Sequence, residues 1–183
     1  LIAPAGGGQW KRLSYGELDA KVDAYAHGFK AQGLERGDRV LFLVKPGFEF
    51  YTALFGLFRL GAIPVLLDPG MGLKNVLKCI EEIQPKALLA IPAVHIIRLF
   101  KRRAFRSVKI FITVGSRWFW GGATLNQCDM SSAGPFQPTE PFTGQEEGFI
   151  AFTSGSTGVP KGVSFLHSMF GHQAMLLGKE YGL

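Results

Sequence analysis

The alternation of short apolar segments with stretches of helical periodicity is the feature that most constrains how this chain can fold. Four segments have the length and apolar character of buried β-strands: 39–44, 63–67, 87–91 and 108–114. Helical patterns lie between them, at 49–60, 73–83 and 94–103. Strands that alternate with helices pair in parallel and are covered by the helices. The sequence therefore predicts the α/β fold class, with a mainly parallel sheet and flanking helices.

A helix start signal precedes the first of these strands. Ser14 followed by Glu17 has the spacing of a capping box, and apolar residues then recur at helical intervals from Leu18 to Phe29. Gly33 supplies the residue type that commonly ends a helix. We therefore expect one more helix, which begins after Ser14 and ends at Gly33.

A long apolar stretch, residues 48–67, approaches the length of a membrane-spanning helix. Two charged residues, Glu49 and Arg59, lie within it, and Gly61 and Pro64 interrupt it. We therefore interpret this stretch as a buried helix followed by a buried strand.

Composition and chain ends define the expected domain organisation. The chain has 183 residues, of which 47% are hydrophobic, which excludes a disordered protein and favours a packed core. It begins with Leu1 and ends in a helical pattern without a stop signal, so we expect a piece of a longer protein. We expect the missing C-terminal part of the same protein to be one of its partners. The expected parts are a βα-repeating portion at 1–116, an irregular connection at 117–147, and a strand, loop and helix at 148–183.

The net charge of +6 is concentrated in the run KRRAFR at 101–106. A nucleic-acid interface would need basic and aromatic residues interleaved over a surface, whereas this run is short and follows an apolar stretch. We expect a solvated helix face and no nucleic-acid partner. Weak contact with a membrane surface through an amphipathic segment is the lesser alternative.

The cysteine pattern favours a reducing compartment. Cys79 and Cys128 are far apart, form no CxxC pair, and have no histidine at metal-binding spacing. No secretory signal is visible, but this has little weight because the native N-terminus is expected to be missing. We expect two buried thiols, no metal site formed by them, and a cytoplasmic protein.

The loop in FIAFTSGSTGVPKGVSF, residues 149–165, is the strongest candidate site. Four hydroxyl side chains within five residues, three glycines and Lys161 follow an apolar strand, and a helix is expected at about 165–179. Backbone N–H groups at a helix N-terminus attract anions, so a phosphate cradle is favoured over a flexible serine-glycine linker. The loop is neither a Walker A motif, since Pro160 and Gly162 stand where glycine and Ser/Thr are required, nor a GxGxxG motif.

The ten residues TSGSTGVPKG, from Thr153 to Gly162, resemble the signature loop of the adenylate-forming enzymes, which include acyl-CoA synthetases, nonribosomal-peptide adenylation domains and luciferases. Residues 12–29 and 37–70 are also similar to that family, whose large domain would begin with a chain of this kind. The resemblance implies that ATP and Mg²⁺ are cofactors, that a carboxylate is joined to the α-phosphate, and that pyrophosphate leaves. It assigns the binding of the ATP phosphates to Thr153, Ser154, Gly155, Ser156, Thr157, Gly158 and Lys161.

Residues 68–95 and 113–125 are similar to one branch of this family, the ligases of bacterial long-chain olefin biosynthesis. That resemblance implies adenylation of a long-chain 2-alkyl-3-hydroxy acid, followed by attack of the 3-hydroxyl to give a β-lactone and AMP. A long-chain fatty acyl-CoA synthetase, which would also use coenzyme A, is the alternative within the class. A nucleotide-binding or interaction module without catalysis is the alternative outside it.

Two segments within that branch have simpler interpretations as well. DPGMG at 68–72 could be a plain strand-to-helix turn in which Gly70 and Gly72 adopt positive φ. WFWGG at 118–122 could be an aromatic patch packed on the core or facing a missing domain. A piece severed from its partners would also expose apolar surface and tend to associate.

No residue of this chain is assigned a catalytic role. The histidines are better explained as surface, packing or capping residues than as a general base: His27, His95, His167 and His172. Asp68 and Glu81 are expected to be cap and helix-surface residues. By resemblance, the acidic metal ligand and the catalytic lysine of the family lie beyond Leu183.

Overall fold

The computed structural model of the protein describes residues 2–6, 9–153 and 160–182. Its strands are β1 (Ile2–Gly6), β2 (Gln9–Arg12), β3 (Arg39–Leu43), β4 (Ile63–Leu67), β5 (Ala87–Ala90), β6 (Ile110–Thr113), β7 (Ala123–Thr124), β8 (Glu147–Thr153) and β9 (Lys161–Leu166). Its helices are α1 (Tyr15–Ala31), α2 (Phe48–Leu60), α3 (Leu73–Ile83), α4 (Pro92–Phe100) and α5 (His167–Tyr181). Short 3₁₀ turns occupy Pro69–Met71, Leu125–Cys128 and Ser131–Ala133.

Within the described residues, seven strands form one sheet in the order β7-β6-β5-β3-β4-β8-β9. Neighbouring strands run parallel from β7 to β8, and β9 pairs with β8 in antiparallel fashion. The predicted mainly parallel sheet with flanking helices is confirmed. The N-terminal strands β1 and β2 form a separate antiparallel pair that the sequence pattern did not predict.

The sheet separates two apolar cores because successive side chains of a strand point to opposite faces. On β3, Val40 and Phe42 belong to the first core, and this core also contains apolar residues of α1 and α2. Leu41 belongs to the second core, which α3 covers with Cys79 and Ile80. Cys128 lies in the first core, so the two free cysteines are buried on opposite faces, as expected of buried thiols.

Helix α1 has the capping box that the sequence predicts. The Ser14 hydroxyl accepts from the Glu17 backbone N–H at 3.2 Å, and the Glu17 carboxylate accepts from the Ser14 backbone N–H at 2.8 Å. The cap residue at the other end is Gln32, followed by Gly33 with a φ of +90°. Within α1, a Cβ added at Gly28 would lie 1.7 Å from the carbonyl oxygen of Cys128, so only glycine permits this approach.

The apolar stretch at 48–67 forms helix α2 and strand β4, as predicted. Gly61 caps α2 in the left-handed conformation at a φ of +84°, and this turn separates the two elements. Among the helices of the described residues, none has the length and hydropathy required to cross a membrane.

The basic run at 101–106 differs from its prediction. Helix α4 begins at Pro92 and ends at Phe100. The basic run therefore forms a turn after the helix, and it is not the solvated face of a helix as predicted. Lys101 is exposed, whereas Ala104 and Phe105 are buried in the second core. Because these two apolar residues pack in the second core, the chain turns toward the sheet and the helix ends before residue 103, its predicted end.

The end of the chain also departs from its prediction. A helix was expected at about 165–179, directly after the glycine loop, but residues 161–166 form strand β9 and α5 begins only at His167. The rings of Phe149 on β8 and Phe165 on β9 stack with centroids 4.4 Å apart. This cross-strand pair stabilises a hairpin that the sequence pattern did not show. Helix α5 exposes Met175, Leu176 and Tyr181, and association through this surface remains a prediction.

Candidate functional site

Strand β8 ends at the carboxyl edge of the parallel sheet, directly before the glycine loop in the sequence. Phe152 of β8 is in register with Leu67 at the end of β4, and Thr153 is the last residue of β8. In open α/β sheets, ligands bind in crevices outside this edge. Thr153 and Lys161, which pair at the ends of β8 and β9, therefore lie at this edge.

Two of the seven residues assigned to phosphate binding lie in the described part of the chain. Thr153 and Lys161 face each other in the β8–β9 register, and both side chains are exposed. The hydroxyl can donate a hydrogen bond and the ammonium adds a positive charge, which together suit an oxyanion. The other five residues lie outside the described residues: Ser154, Gly155, Ser156, Thr157 and Gly158.

Gly162 has a packing reason to be glycine. It pairs with Phe152 across the hairpin, and a Cβ at position 162 would lie 3.1 Å from the ring of that phenylalanine. The ring therefore occupies the space beside the backbone of β9. A larger side chain at position 162 would have to displace this ring.

The electrostatic argument from a following helix is corrected by the structure. Because β9 runs antiparallel to β8, α5 begins at the edge of the sheet opposite Thr153 and Lys161. Its first N–H groups are already used, since His167 donates to the Glu146 carbonyl at 3.0 Å and Ser168 donates to the Gly144 carbonyl at 2.9 Å. The N-terminus of α5 therefore does not lie at the edge where Thr153 and Lys161 lie.

The turn at 68–72 follows β4 at the same edge. An Asp68 carboxylate oxygen accepts from the backbone N–H of Gly70 at 2.8 Å, which confirms its role as a turn residue. Gly72 has a φ of +81°, as expected, but Gly70 belongs to a 3₁₀ turn and does not have positive φ. The expectation for Gly70 is therefore wrong, because the carboxylate closes the turn without a left-handed residue there. Glu81 lies exposed on α3, as predicted.

His95 is buried in a polar cluster that sequence reasoning did not find. Its ring stacks on Trp120 with centroids 5.5 Å apart, and Trp120 Nε1 donates to Thr113 Oγ1 at 3.0 Å. Arg98 Nε donates to His95 Nδ1 at 3.2 Å, which leaves His95 Nε2 to donate to the Ile112 carbonyl at 3.2 Å. The side chain is fully buried, and burial lowers its pKa to about 4. His95 is therefore a neutral structural residue, and the expected packing of WFWGG on the core holds for Trp120.

The contacts of the other three histidines are those of packing or surface residues. His167 packs against the rings of Phe58 and Phe142, with centroids 5.8 and 5.0 Å apart, which confirms a packing role. His27 lies edge-on to Phe136, and His172 is exposed. Within the described residues, no group of three or more His, Cys, Asp or Glu side chains could hold a metal ion.

Comparisons with known proteins agree with this architecture. The fold defines an α/β domain with a mainly parallel sheet and flanking helices. The family model for the AMP-binding enzyme matches residues 2–181. The chain belongs to the AMP-binding enzyme family, which confirms the resemblance to adenylate-forming enzymes.

Among its relatives, the olefin beta-lactone synthetase of Stenotrophomonas maltophilia (strain K279a) is 42% identical over 171 residues, which cover 93% of this chain and 31% of the relative. The acetyl-coenzyme A synthetase of Cupriavidus metallidurans (strain ATCC 43123 / DSM 2839 / NBRC 102507 / CH34) is 29% identical over 188 residues, which cover 94% and 28%. A solved long-chain-fatty-acid-CoA ligase from Archaeoglobus fulgidus shares the fold with a TM-score of 0.79 at 20% identity, over 99% of this chain and 35% of that one. The chain thus spans less than a third of the length of these two curated relatives.

Proposed function

We propose that this chain is the N-terminal part of an ATP-dependent, AMP-forming ligase that activates a long-chain 2-alkyl-3-hydroxy acid. In the proposed reaction, the acid carboxylate is joined to the α-phosphate of ATP and pyrophosphate leaves. The 3-hydroxyl then attacks the acyl carbon, which closes a β-lactone and releases AMP. The observation that supports this proposal is the loop with Thr153 and Lys161 at the carboxyl edge, in a chain similar to an olefin beta-lactone synthetase.

The described residues would act by positioning and charge. Lys161 would neutralise the negative charge of the departing pyrophosphate, and the Thr153 hydroxyl would donate to a phosphate oxygen. Both side chains are exposed at the ends of paired strands, so a triphosphate could reach them. The other loop residues are proposed to complete the cradle: Ser154, Gly155, Ser156, Thr157 and Gly158. Mg²⁺ would accompany ATP, and the proposal assigns no described residue to it.

The first test is acid-dependent exchange of pyrophosphate into ATP by the full-length protein. Lys161→Ala should lower kcat/KM about ten- to a hundredfold, since a charge-assisted hydrogen bond contributes about 1.5 to 3 kcal/mol. Lys109→Ala is the matched control. That exposed lysine directly precedes β6, so it lies at the amino ends of the parallel strands and not at their carboxyl ends. Equal activity of both variants would remove Lys161 from the phosphate site. A protein that shows no exchange would favour the non-catalytic module.

The second test separates the two ligase activities. The full-length protein is incubated with ATP and a 2-alkyl-3-hydroxy acid in the absence of coenzyme A, and the products are identified by mass spectrometry. A β-lactone and AMP are expected. Accumulation of acyl-AMP until coenzyme A is added would instead support an acyl-CoA synthetase, an alternative favoured by the similarity to an acetyl-coenzyme A synthetase.

A further inference from the structure

The outward face of helix α4, formed by Ala93, Ile96 and Phe100, is apolar. These residues share one face of the helix because the second and third follow the first by three and seven positions. Phe100 is 79% exposed, Ala93 is also exposed, and Ile96 is half-buried. The solvent side of a surface helix normally carries charged and polar side chains. An apolar face in this position is instead typical of a surface that contacts another body.

The opposite side of α4 is already used for packing within the domain. His95 is buried beneath the Trp120 ring, and Val94 packs against the second core. The guanidinium carbon of Arg98, the charged residue within α4, lies 3.8 Å from the centre of the Phe111 ring. These contacts fix the rotation of the helix about its axis. The outward face therefore stays toward solvent in the folded domain.

The basic run at 101–106 begins where this outward face ends. Burial of Ala104 and Phe105 in the second core fixes the run to the domain. Its four cationic side chains are all exposed: Lys101, Arg102, Arg103 and Arg106. Among the ion pairs of the described residues, one involves this run, between Arg103 and Glu81 at 3.7 Å, and it leaves the Arg103 side chain 88% exposed. The run therefore presents several positive charges to solvent beside an apolar face.

We propose that the outward face of α4 and the basic run together form a docking surface for an anionic lipid bilayer. A helix of this kind lies in the plane of the membrane surface, with its apolar face at the boundary between headgroups and acyl chains. Phe100 would enter this boundary, and Lys101 and Arg102 would lie beside the lipid phosphates. The contact requires neither ATP nor the ligase reaction, so the proposal goes beyond the proposed function and does not rest on it.

Two observations favour a lipid surface over a nucleic acid. The side chains of the outward face have no polar group that could bond to bases, sugars or phosphates. The cations lie in one short turn at its end, and the aromatic residue within that turn, Phe105, is buried. A nucleic-acid site would instead spread basic and aromatic side chains over one surface. Positive charge next to an exposed apolar face is complementary to anionic headgroups above an acyl layer.

The test is co-sedimentation of the full-length protein with vesicles of phosphatidylcholine alone or of phosphatidylcholine mixed with phosphatidylglycerol. The protein should bind the mixed vesicles at low salt, bind the neutral vesicles much more weakly, and lose affinity for the mixed vesicles at high salt. Phe100→Ser should lower the partition coefficient at least about fivefold, because it removes the apolar group that enters the bilayer. Tyr15→Ser is the matched control, since that exposed aromatic residue begins α1, which packs in the first core on the other face of the sheet.

The contribution of charge is tested with a second pair of variants. Lys101→Gln should lower the partition coefficient about fivefold at low salt, as expected for one basic side chain near an anionic surface. Lys30→Gln is its matched control, because that exposed lysine lies on α1.

Three results would overturn the proposal. They are equal affinity of the wild-type protein, Phe100→Ser and Lys101→Gln for the mixed vesicles, equal binding of the wild-type protein to both kinds of vesicle, and binding to duplex DNA in the absence of binding to vesicles. A protein that binds the vesicles as expected but shows no pyrophosphate exchange would contradict the proposed function alone.

Discussion

The buried imidazole of His95 should make the protein less stable in acid. Its Nε2 donates to the Ile112 carbonyl and its Nδ1 accepts from Arg98, so the folded state holds it neutral. In the unfolded chain the same ring is solvated and titrates near 6.5. Between the folded pKa of about 4 and that value, the unfolded state binds more protons, and stability must fall as the pH falls.

The expected size of this effect follows from the two pKa values. With a folded pKa of about 4 for His95 and an unfolded pKa of about 6.5, linkage gives a loss of about 2 kcal/mol between pH 7 and pH 5. The contribution is complete above pH 6.5 and is progressively lost as the pH approaches 4. Solvent screening is small, because the side chain is fully buried.

The assay is urea unfolding of the wild-type protein and of His95→Gln at pH 7 and pH 5. Carboxylates also titrate in this range, but they do so in both proteins, so the difference between the two pH slopes reports His95. The variant should be less stable at pH 7 and should lose about 2 kcal/mol less than the wild type on acidification. Identical slopes for the wild type and His95→Gln would refute the reasoning.

Two further predictions concern close packing and buried hydrogen bonds, both measured as free energies of unfolding. Gly28→Ala should lower the free energy of unfolding by about 2 kcal/mol. The added Cβ would lie 1.7 Å from the Cys128 carbonyl oxygen, and this overpacking costs about 3 kcal/mol, whereas the higher helix propensity of alanine contributes about 1 kcal/mol in the opposite direction. Gly171→Ala, where no described atom lies within 4 Å of the added Cβ, should instead stabilise by about 0.5 to 1 kcal/mol, and a loss there would contradict the packing argument. Trp120→Phe should cost about 1 to 3 kcal/mol because it leaves the buried Thr113 hydroxyl without its donor, and adding Thr113→Val should recover part of that cost. Additive losses in this double-mutant cycle would show that the two side chains do not interact.

The parallel part of the sheet could be predicted because its information is local. Strand β4 matches its predicted bounds, Ile63–Leu67, since an apolar run follows Gly61 and is buried on both faces. Helix α3 also matches its predicted range, Leu73–Ile83. Periodicity and turn residues determine such elements with little help from distant parts of the chain.

The missed features depend on contacts between residues distant in sequence. Strand β9 is stabilised by the contact of Phe165 with Phe149 on another strand, and a helix predicted to begin at about residue 165 could not include that contact. The burial of His95 likewise requires Trp120, 25 positions away in the sequence numbering, and no spacing signal connects them. The resemblance predicts phosphate binding by the loop, and this stays a prediction. The edge of the sheet at which α5 begins could not be predicted, because it depends on the pairing of β9 with β8.

Because each core contains one cysteine, the rates at which the helices on the two faces of the sheet unfold locally can be measured separately. Burial raises the pKa of Cys128 to about 11 and also raises the pKa of Cys79. Because the thiolate is the reactive form, an alkylating reagent will label each cysteine mainly in molecules whose covering layer has opened. Labelling at Cys128 then reports on the layer of α1 and α2, and labelling at Cys79 reports on the layer of α3. The two cysteines of the sequence therefore serve as separate probes of local unfolding, one on each face of the sheet.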